Sequence, residues 1–581
     1  MKKNFYSSER NVQMLVYLLK KHNIKKIIAS PGATNVCFIG SLQNDPFFEI
    51  YSAADERQAA YIACGLAAES KEPVVVSCTG ATASRNYIPA LTEAYYRKLP
   101  ILAVTATQHI GRVGQNIAQV IDRSTIQNDI AKYSLHLPTI HDSEDEWAYG
   151  VKINEALLEL RHRGGGPVHI NLTTEYSKDF SVKELSPVKS IQRIAHSDEF
   201  PSLDNKRIAI FVGAHLEWDD ALVSAVDCFC EKYNSVVLCD HTSNYPGKYG
   251  VFYSLVTSQV LYSSPLRNID VLIDIGDVSG AYPSFLCKEV WRINPDGAIR
   301  DRFRKLTNVF EMEEFDFFST YNLNDGEKNN TSYFYDWKNE IEHFESIIPE
   351  LPFSNVWIAQ NTISRLPKNS VLHLGILNSL RSWNLFSKDL SIRGYSNTGG
   401  FGIDGCLSSL IGASLAHKEK LFFAVVGDLA FFYDMNSLGN KHVGNNLRIM
   451  LINNGRGTEF RNYNHPAQIC FEDDADDFMA AAGHYANKSR DLVRHYSEDL
   501  GYEYICADDK QSFISNLDRF LEPCLTDKPI IFEVFTDSNF ESEALEISYH
   551  LEKTAKGQAK ETIKKILGKK GTEKIKMILK K

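Results

Sequence analysis

Short apolar runs alternate with helical stretches in three successive blocks of this chain, and that alternation narrows the fold more than any other feature. In the first block, residues 27–29, 74–77 and 101–104 read as strands, and 12–19 and 59–68 as helices. A second block has strand-like runs at 208–212, 236–238 and 271–275. A third has them at 371–374, 422–426, 449–452 and 530–534. Strands separated by helical patterns imply parallel sheets covered by helices. The expected fold is therefore α/β, with three doubly wound parallel-sheet domains. The boundaries expected are 1–180, 181–350 and 351–548, with 549–581 as a tail. The polar, proline-punctuated stretch 180–201 reads as a linker. A chain of 581 residues fits several cores.

Charge limits the function classes. The net charge of -10 hides a basic end, because residues 553–581 carry eleven lysines against Glu561 and Glu573. The rest is strongly acidic, which argues against a nucleic-acid partner. The eleven cysteines show no C-x-x-C pair and read as reduced core thiols. With no apolar stretch of membrane length and no signal-peptide pattern, a cytoplasmic protein is expected. In the tail, Ile563, Ile566, Leu567 and Ile575, Ile578, Leu579 repeat a helical spacing among lysines. Contact with a membrane surface or an acidic partner is one reading, and a solvated terminus is the other.

The chemistry is concentrated in residues 422–460. Two strands end there in Gly427-Asp428-Leu429-Ala430 and in Asn453-Asn454-Gly455-Arg456-Gly457, so each delivers oxygen ligands toward one place. Mg²⁺ takes six oxygens and holds a diphosphate with help from a protein carboxylate and carbonyls. Gly427 is expected to let the backbone turn sharply, and the N–H groups after it to face diphosphate oxygens. Asp428 and Asn454, 26 residues apart, resemble the thiamine diphosphate motif G-D-G followed by N-N, with Leu429 in the third position. Thiamine chemistry also needs a carboxyl group beside the pyrimidine ring, for which the candidate is Glu56 in Asp55-Glu56-Arg57-Gln58-Ala59. Burial is expected to raise its pKa.

Longer blocks carry a wider resemblance: SPGATN at 30–35, DERQA at 55–59, CTGATASRNYIPALTEAYY at 78–96, AQVID at 118–122, YSNTGGFGIDG at 395–405, GDLAFFYDMNSL at 427–438 and LINN at 451–454. They resemble the family of synthases that make 2-succinyl-5-enolpyruvyl-6-hydroxy-3-cyclohexene-1-carboxylate in menaquinone biosynthesis. The resemblance implies pyrimidine-binding, central and diphosphate-binding domains, and a thiamine diphosphate- and Mg²⁺-dependent reaction of a 2-oxo acid. It implies metal ligation by the Asp428 and Asn454 side chains and the Arg456 carbonyl. Thr82, Gly402, Gly427, Leu429 and Ala430 would line the cofactor, Ile403 would hold it bent, and Gln119 would lie near the reacting atoms. It also implies a homodimer or homotetramer, because Glu56 of one subunit would meet the cofactor held by another.

The sequence departs from the family where substrates bind. Asn35, Gln108, Trp383 and Thr398 stand at positions where the family has arginine, and Glu459 replaces an apolar residue before Phe460. Arg381 and Arg456 are the candidate substitutes. Arginine is the residue suited to bidentate carboxylate binding, so isochorismate is not the expected acceptor. Thr34, Asn35, Gln108, Asn378, Ser379, Arg381, Thr398, Glu459 and Phe460 are the expected substrate residues, and their largely uncharged character suits a keto sugar. The alternatives are a simple 2-oxo-acid decarboxylase releasing an aldehyde and a non-catalytic relative. Retention of Glu56 and Asp428 argues against the last.

Overall fold

The computed structural model describes residues 5–123, 126–216, 218–323, 332–485 and 488–554. Most of the basic tail, from residue 555 onward, lies outside the described residues. Three parallel sheets form, each at one of the three blocks of alternating runs. The first has the strand order Glu49–Ser52, Lys26–Ala29, Val74–Cys78, Ile101–Thr107, Val168–Thr173, Tyr133–Leu137. The third has the order Arg393–Tyr395, Val371–Leu374, Phe422–Gly427, Leu447–Asn453, Ile530–Phe535, Glu503–Ala507. Numbered within each sheet, both run 2-1-3-4-6-5. The first and third sheets therefore share one topology although their sequences show no visible repeat.

The chain divides into two compact units, Met1–Glu199 with Asn294–Glu311, and Phe200–Ile293 with Met312–Lys581. The second unit holds the third sheet and the middle strands Gly250–Phe252, Val236–Cys239, Ile208–Val212, Asn268–Ile275 and Leu286–Ile293, hydrogen-bonded in that order. In the first unit, Gln192–Ile194 pairs in parallel with Leu306–Phe310. The stretch read as a linker thus contains a strand, because Ile191 and Ile194 are buried and anchor it.

Central strands such as Val74–Cys78, Ile101–Thr107 and Leu447–Asn453 are buried at every position, as expected for strands covered by helices on both faces. The helix Glu56–Ser70 follows Asp55, whose extended backbone and carboxylate, accepting from Gln58 N–H at 2.8 Å, fix the helix start at Glu56. Ala59, Ala60, Ala63 and Ala67 form its buried face, small enough for close packing. In the 2-1-3 arrangement the crevice for a ligand opens at the carboxyl ends of strands 1 and 3, where the connections diverge. In the first sheet that point carries residues 30–35 and 79–82. In the third it carries 375–379 and 427–430.

Candidate active site

In the second unit, Gly427 pairs with Ile452 in parallel register, so the strand ends deliver Asp428 and Asn454 to adjacent loops. The Asp428 carboxylate is buried, accepts from Leu429 N–H at 2.7 Å, and faces the backbone N–H groups of Asn454, Gly455 and Arg456. Burial pushes its pKa up to about 6 despite those donors. Asn454 is half-buried, its Oδ1 accepting from the buried Thr458 Oγ1 at 2.7 Å. Leu429 sits against the second loop: a Cβ on Gly457 would lie 3.2 Å from its Cδ1 and 3.3 Å from the Phe460 ring. Leucine in the third motif position thus packs the two loops together. Ala430 is buried in the core cluster against which Ile403 also packs.

Gly427 does not make the sharp turn expected of it. Its φ of -74° and ψ of 164° are ordinary extended backbone, open to any residue. What distinguishes it is space, since among the described residues no atom lies within 4 Å of where its Cβ would be, and the same holds at Gly399 and Gly400. Gly402 differs, because a Cβ there would collide with the Asp404 carboxylate. Among the described residues no group of three or more His, Cys, Asp or Glu side chains could hold a metal. One carboxylate, one amide and backbone carbonyls beside open glycines fit Mg²⁺ held jointly with a diphosphate, and do not fit a self-sufficient protein cage.

A second acid, absent from the sequence-based expectation, lies near Asp428. Glu541, on the helix Ser538–Tyr549, is 6% exposed and accepts from Thr536 Oγ1 at 2.6 Å and Asn355 N–H at 2.9 Å. Burial, with a smaller contribution from Asp428, pushes its pKa up to about 7. A carboxyl raised in this way retains an extra proton in the folded state between about pH 4.5 and 7, so stability falls as pH rises through that window. Glu541→Gln should make the metal-free protein up to about 3 kcal/mol more stable than the wild type at pH 8. That advantage should vanish by pH 5, and chemical denaturation at the two pH values measures it.

The substrate candidates of this unit are largely engaged with one another. Arg381 donates to Glu459 from Nη1 at 2.5 Å and Nη2 at 2.9 Å, and from Nη1 to Asn378 Oδ1 at 3.1 Å. Asn462 bridges Asn378 and Glu459 at 3.1 and 3.2 Å. Arg456 donates to Asp476 at 2.5 Å. Ser379 and Thr398 are buried, and Ser379 Oγ accepts from Asn355 at 3.3 Å. Trp383 is fully buried, its Nε1 donating to Asn355 at 3.0 Å, so it belongs to the core. Phe460 is 36% exposed. Beside Arg381 a cavity is lined by the hydroxyl-bearing residues Ser254, Thr257, Ser258, Tyr282 and Tyr549 and by the apolar Leu377, Leu385 and Phe401. Of its lining only Arg381 and Phe401 lie in stretches that the sequence highlights, and the hydroxyl-bearing residues carried no signal.

In the first unit Glu56 is half-buried, and its Oε2 accepts from Asn86 at 3.4 Å. The burial expected for it is not supplied by the single chain. Thr82 is exposed at the start of the helix Thr82–Asn86. Thr34 and Asn35 are buried and internally bonded. Thr34 Oγ1 pairs with Thr79 Oγ1 at 2.6 Å, and Asn35 Nδ2 donates to the Ser30 carbonyl at 3.0 Å. Asn35 therefore braces its own loop. Gln108 donates to Tyr176 Oη at 3.1 Å and accepts from Arg112, a guanidinium four residues further on that lies in none of the motif blocks. Gln119 is exposed, with a φ of 66°.

Left-handed backbone marks these loops. Ala81, Gln119, Leu377 and Phe401 have φ between 52° and 66°, and three of them directly precede the candidates Thr82, Asn378 and Gly402. Such conformations in residues with a side chain cost about 1–3 kcal/mol each and cluster at functional sites.

The description "Thiamine pyrophosphate enzyme, N-terminal TPP binding domain" matches residues 10–126. The 2-succinyl-5-enolpyruvyl-6-hydroxy-3-cyclohexene-1-carboxylate synthase of Bacteroides fragilis is 31% identical over 581 residues, covering 94% of this chain and 99% of its own. That of Phocaeicola vulgatus is 31% identical with the same coverage, and that of Flavobacterium johnsoniae 30% identical, covering 93% and 98%. Among solved structures, the Rhodococcus jostii thiamine diphosphate-dependent 4-hydroxybenzoylformate decarboxylase aligns with a TM-score of 0.39 and 15% identity, covering 91% of this chain and 99% of that one.

Proposed function

The chain belongs to the 2-succinyl-5-enolpyruvyl-6-hydroxy-3-cyclohexene-1-carboxylate synthase family, and from that premise we propose that it joins the acyl part of a decarboxylated 2-oxo acid to an uncharged, hydroxyl-bearing acceptor such as a keto sugar. Thiamine diphosphate, when bound, supplies the electron sink that lets the 2-oxo acid lose CO₂ and its former carbonyl carbon act as a nucleophile. Asp428, Asn454 and the Arg456 carbonyl would hold Mg²⁺, with the open side of Gly427 leaving room for phosphate oxygens. Glu56 would share a proton with the pyrimidine ring, and Gln119 would orient the donor near the reacting carbon.

The observation that carries the choice of acceptor is the engagement of Arg381 and Arg456 by Glu459 and Asp476. Arg381, held bidentately by Glu459, has little left for a second carboxylate, and Arg456 is engaged at one nitrogen by Asp476. The hydroxyl-bearing residues of the neighbouring cavity suit an acceptor that donates and accepts neutral hydrogen bonds. Arg112, exposed beside Gln108, is suited to the carboxylate of the donor.

A homodimer or larger homo-oligomer completes the proposal. On the helix Glu56–Ser70 the outward stripe includes Tyr61, 47% exposed, and Ile62, 43% exposed, with open space beside Gly65. Apolar residues on an outward helix face suit burial by a second copy. Among the described residues no helix is long and apolar enough to cross a membrane.

The test is to supply thiamine diphosphate, Mg²⁺ and a panel of 2-oxo acids with keto sugars or isochorismate, and to follow CO₂ and product mass. A mass equal to sugar plus acyl group supports the proposal. Free aldehyde alone would make the protein a simple decarboxylase, and an isochorismate adduct would overturn the choice of acceptor. Glu459→Gln should release Arg381 and tighten binding of a carboxylate-bearing acceptor analogue about tenfold or more, read by calorimetry.

A further inference from the structure

We propose that the first unit contains a built site for one halide-sized anion, chloride or bromide, held by Arg123. The Arg123 side chain is 5% exposed, and its Nη2 donates to the Ala106 carbonyl at 3.1 Å. Among the described residues its Nε and Nη1, both buried, have no hydrogen-bond partner. They adjoin a cavity of about 20 Å³ whose wall includes Ser84, Arg85, Thr105 and His169.

The charged groups that line this cavity, Arg85 and Arg123, are both cations, and the carboxylate of Glu56, outside the wall, reaches it through Cys78 and Tyr87. The titratable groups whose fields reach Arg123 are Cys78 and Arg85. Burial pushes the Cys78 thiol up to about 12, so it is neutral, and Arg85 is a second cation. His169 is pulled down to about 3 by burial and is also neutral, its two ring nitrogens bonded to Thr105 Oγ1 at 2.8 Å and Ser134 Oγ at 2.9 Å. His136, also held below its ordinary value, adds no negative charge. A guanidinium stays protonated, and an ion taken from water without a counter-charge costs several kcal/mol. Water could satisfy the two free nitrogens, but only an anion also supplies the missing charge. A cavity of this size is above the minimum for one water-sized occupant, which suits a halide.

The site is tied to the reaction loop. A Cβ on Gly80 would lie 3.1 Å from the Gln119 carbonyl, 3.2 Å from the Ala106 carbonyl and 3.8 Å from Arg123 Nη2, so these groups share one turn. Arg85, on the cavity wall, donates to the Asp122 carbonyl at 2.9 Å and holds the same segment from the other side. An anion on Arg123 therefore fastens the segment that carries Gln119.

The test uses the full chain in sodium gluconate at constant ionic strength, with chloride or bromide replacing gluconate. The melting temperature should rise saturably with either halide and not with sulfate. Arg123→Gln should abolish the saturable part, and Arg85→Gln, a change at an exposed position, should weaken the apparent affinity about tenfold. Bromide-soaked crystals should show an anomalous peak beside Arg123. If Arg123→Gln does not fold, Arg85→Gln and the bromide crystal still decide. A halide response identical in wild type and variants, no saturable response, or a cavity holding water only in bromide would overturn the proposal.

Discussion

Glu56→Gln should lower the rate of CO₂ release about 10²–10⁴-fold, the range that a positioned acid or base contributes, and leave the melting temperature of the cofactor-free protein almost unchanged. The second half of that result is as informative as the first. Glu56 is half-buried, its one side-chain hydrogen bond among the described residues is 3.4 Å long, and the helix start is fixed by Asp55. The fold therefore depends on it very little. A carboxylate in the first turn of a helix also has an ordinary role, complementing the helix dipole for about 0.3–1 kcal/mol. If that were its whole role, the glutamine variant would lose a little stability and keep its activity.

Asp428→Asn should weaken Mg²⁺-dependent cofactor binding at least about 100-fold, read by calorimetry or by loss of the cofactor-induced rise in melting temperature. The reason lies in charge and position together. The carboxylate is buried where two loops meet, and the N–H groups of 454–456 converge on it. A metal requires its deprotonated form. With the folded pKa raised from 3.8 to about 6, wild-type affinity should fall about tenfold per pH unit below pH 6. The stability sign is opposite: the metal-free fold loses stability as pH rises through 6, by about 3 kcal/mol, because the buried charge is then uncompensated. Asparagine should remove both pH dependences. A variant that still bound Mg²⁺ and cofactor with wild-type affinity would place the metal elsewhere.

The sheets and motif loops were legible because each is a local pattern. Residues 422–426 and 449–452 read as strands from their own composition, and parallel register then brings Asp428 and Asn454 to neighbouring ends. Partners far apart in sequence left no such trace. The Arg381–Glu459 pair spans 78 residues, and neither residue type signals that the other neutralises it. Glu541 resembles any acid near a helix start until its burial is seen. Asn35 and Ser379 were expected in a pocket from the positions they match in the family, yet small polar side chains bond equally well to their own backbone neighbourhood. The left-handed Leu377 and Phe401 were invisible because glycine is the usual sign of that conformation, and neither position has it.

The strand order shared by the first and third sheets has an evolutionary consequence. Two domains wired identically are most simply descended from one ancestral gene that was duplicated and joined, after which each copy specialised. One copy carries Glu56 at the start of the helix that follows its second strand, and the other carries Asp428 and Asn454 at its strand ends, the proposed acid and metal ligands. On the proposal that Glu56 of one subunit serves the cofactor site of another, a defect in one copy is complemented by an intact copy of the other. Subunits carrying Glu56→Gln, mixed and reassembled with subunits carrying Asp428→Asn, should recover part of the activity that each lacks alone.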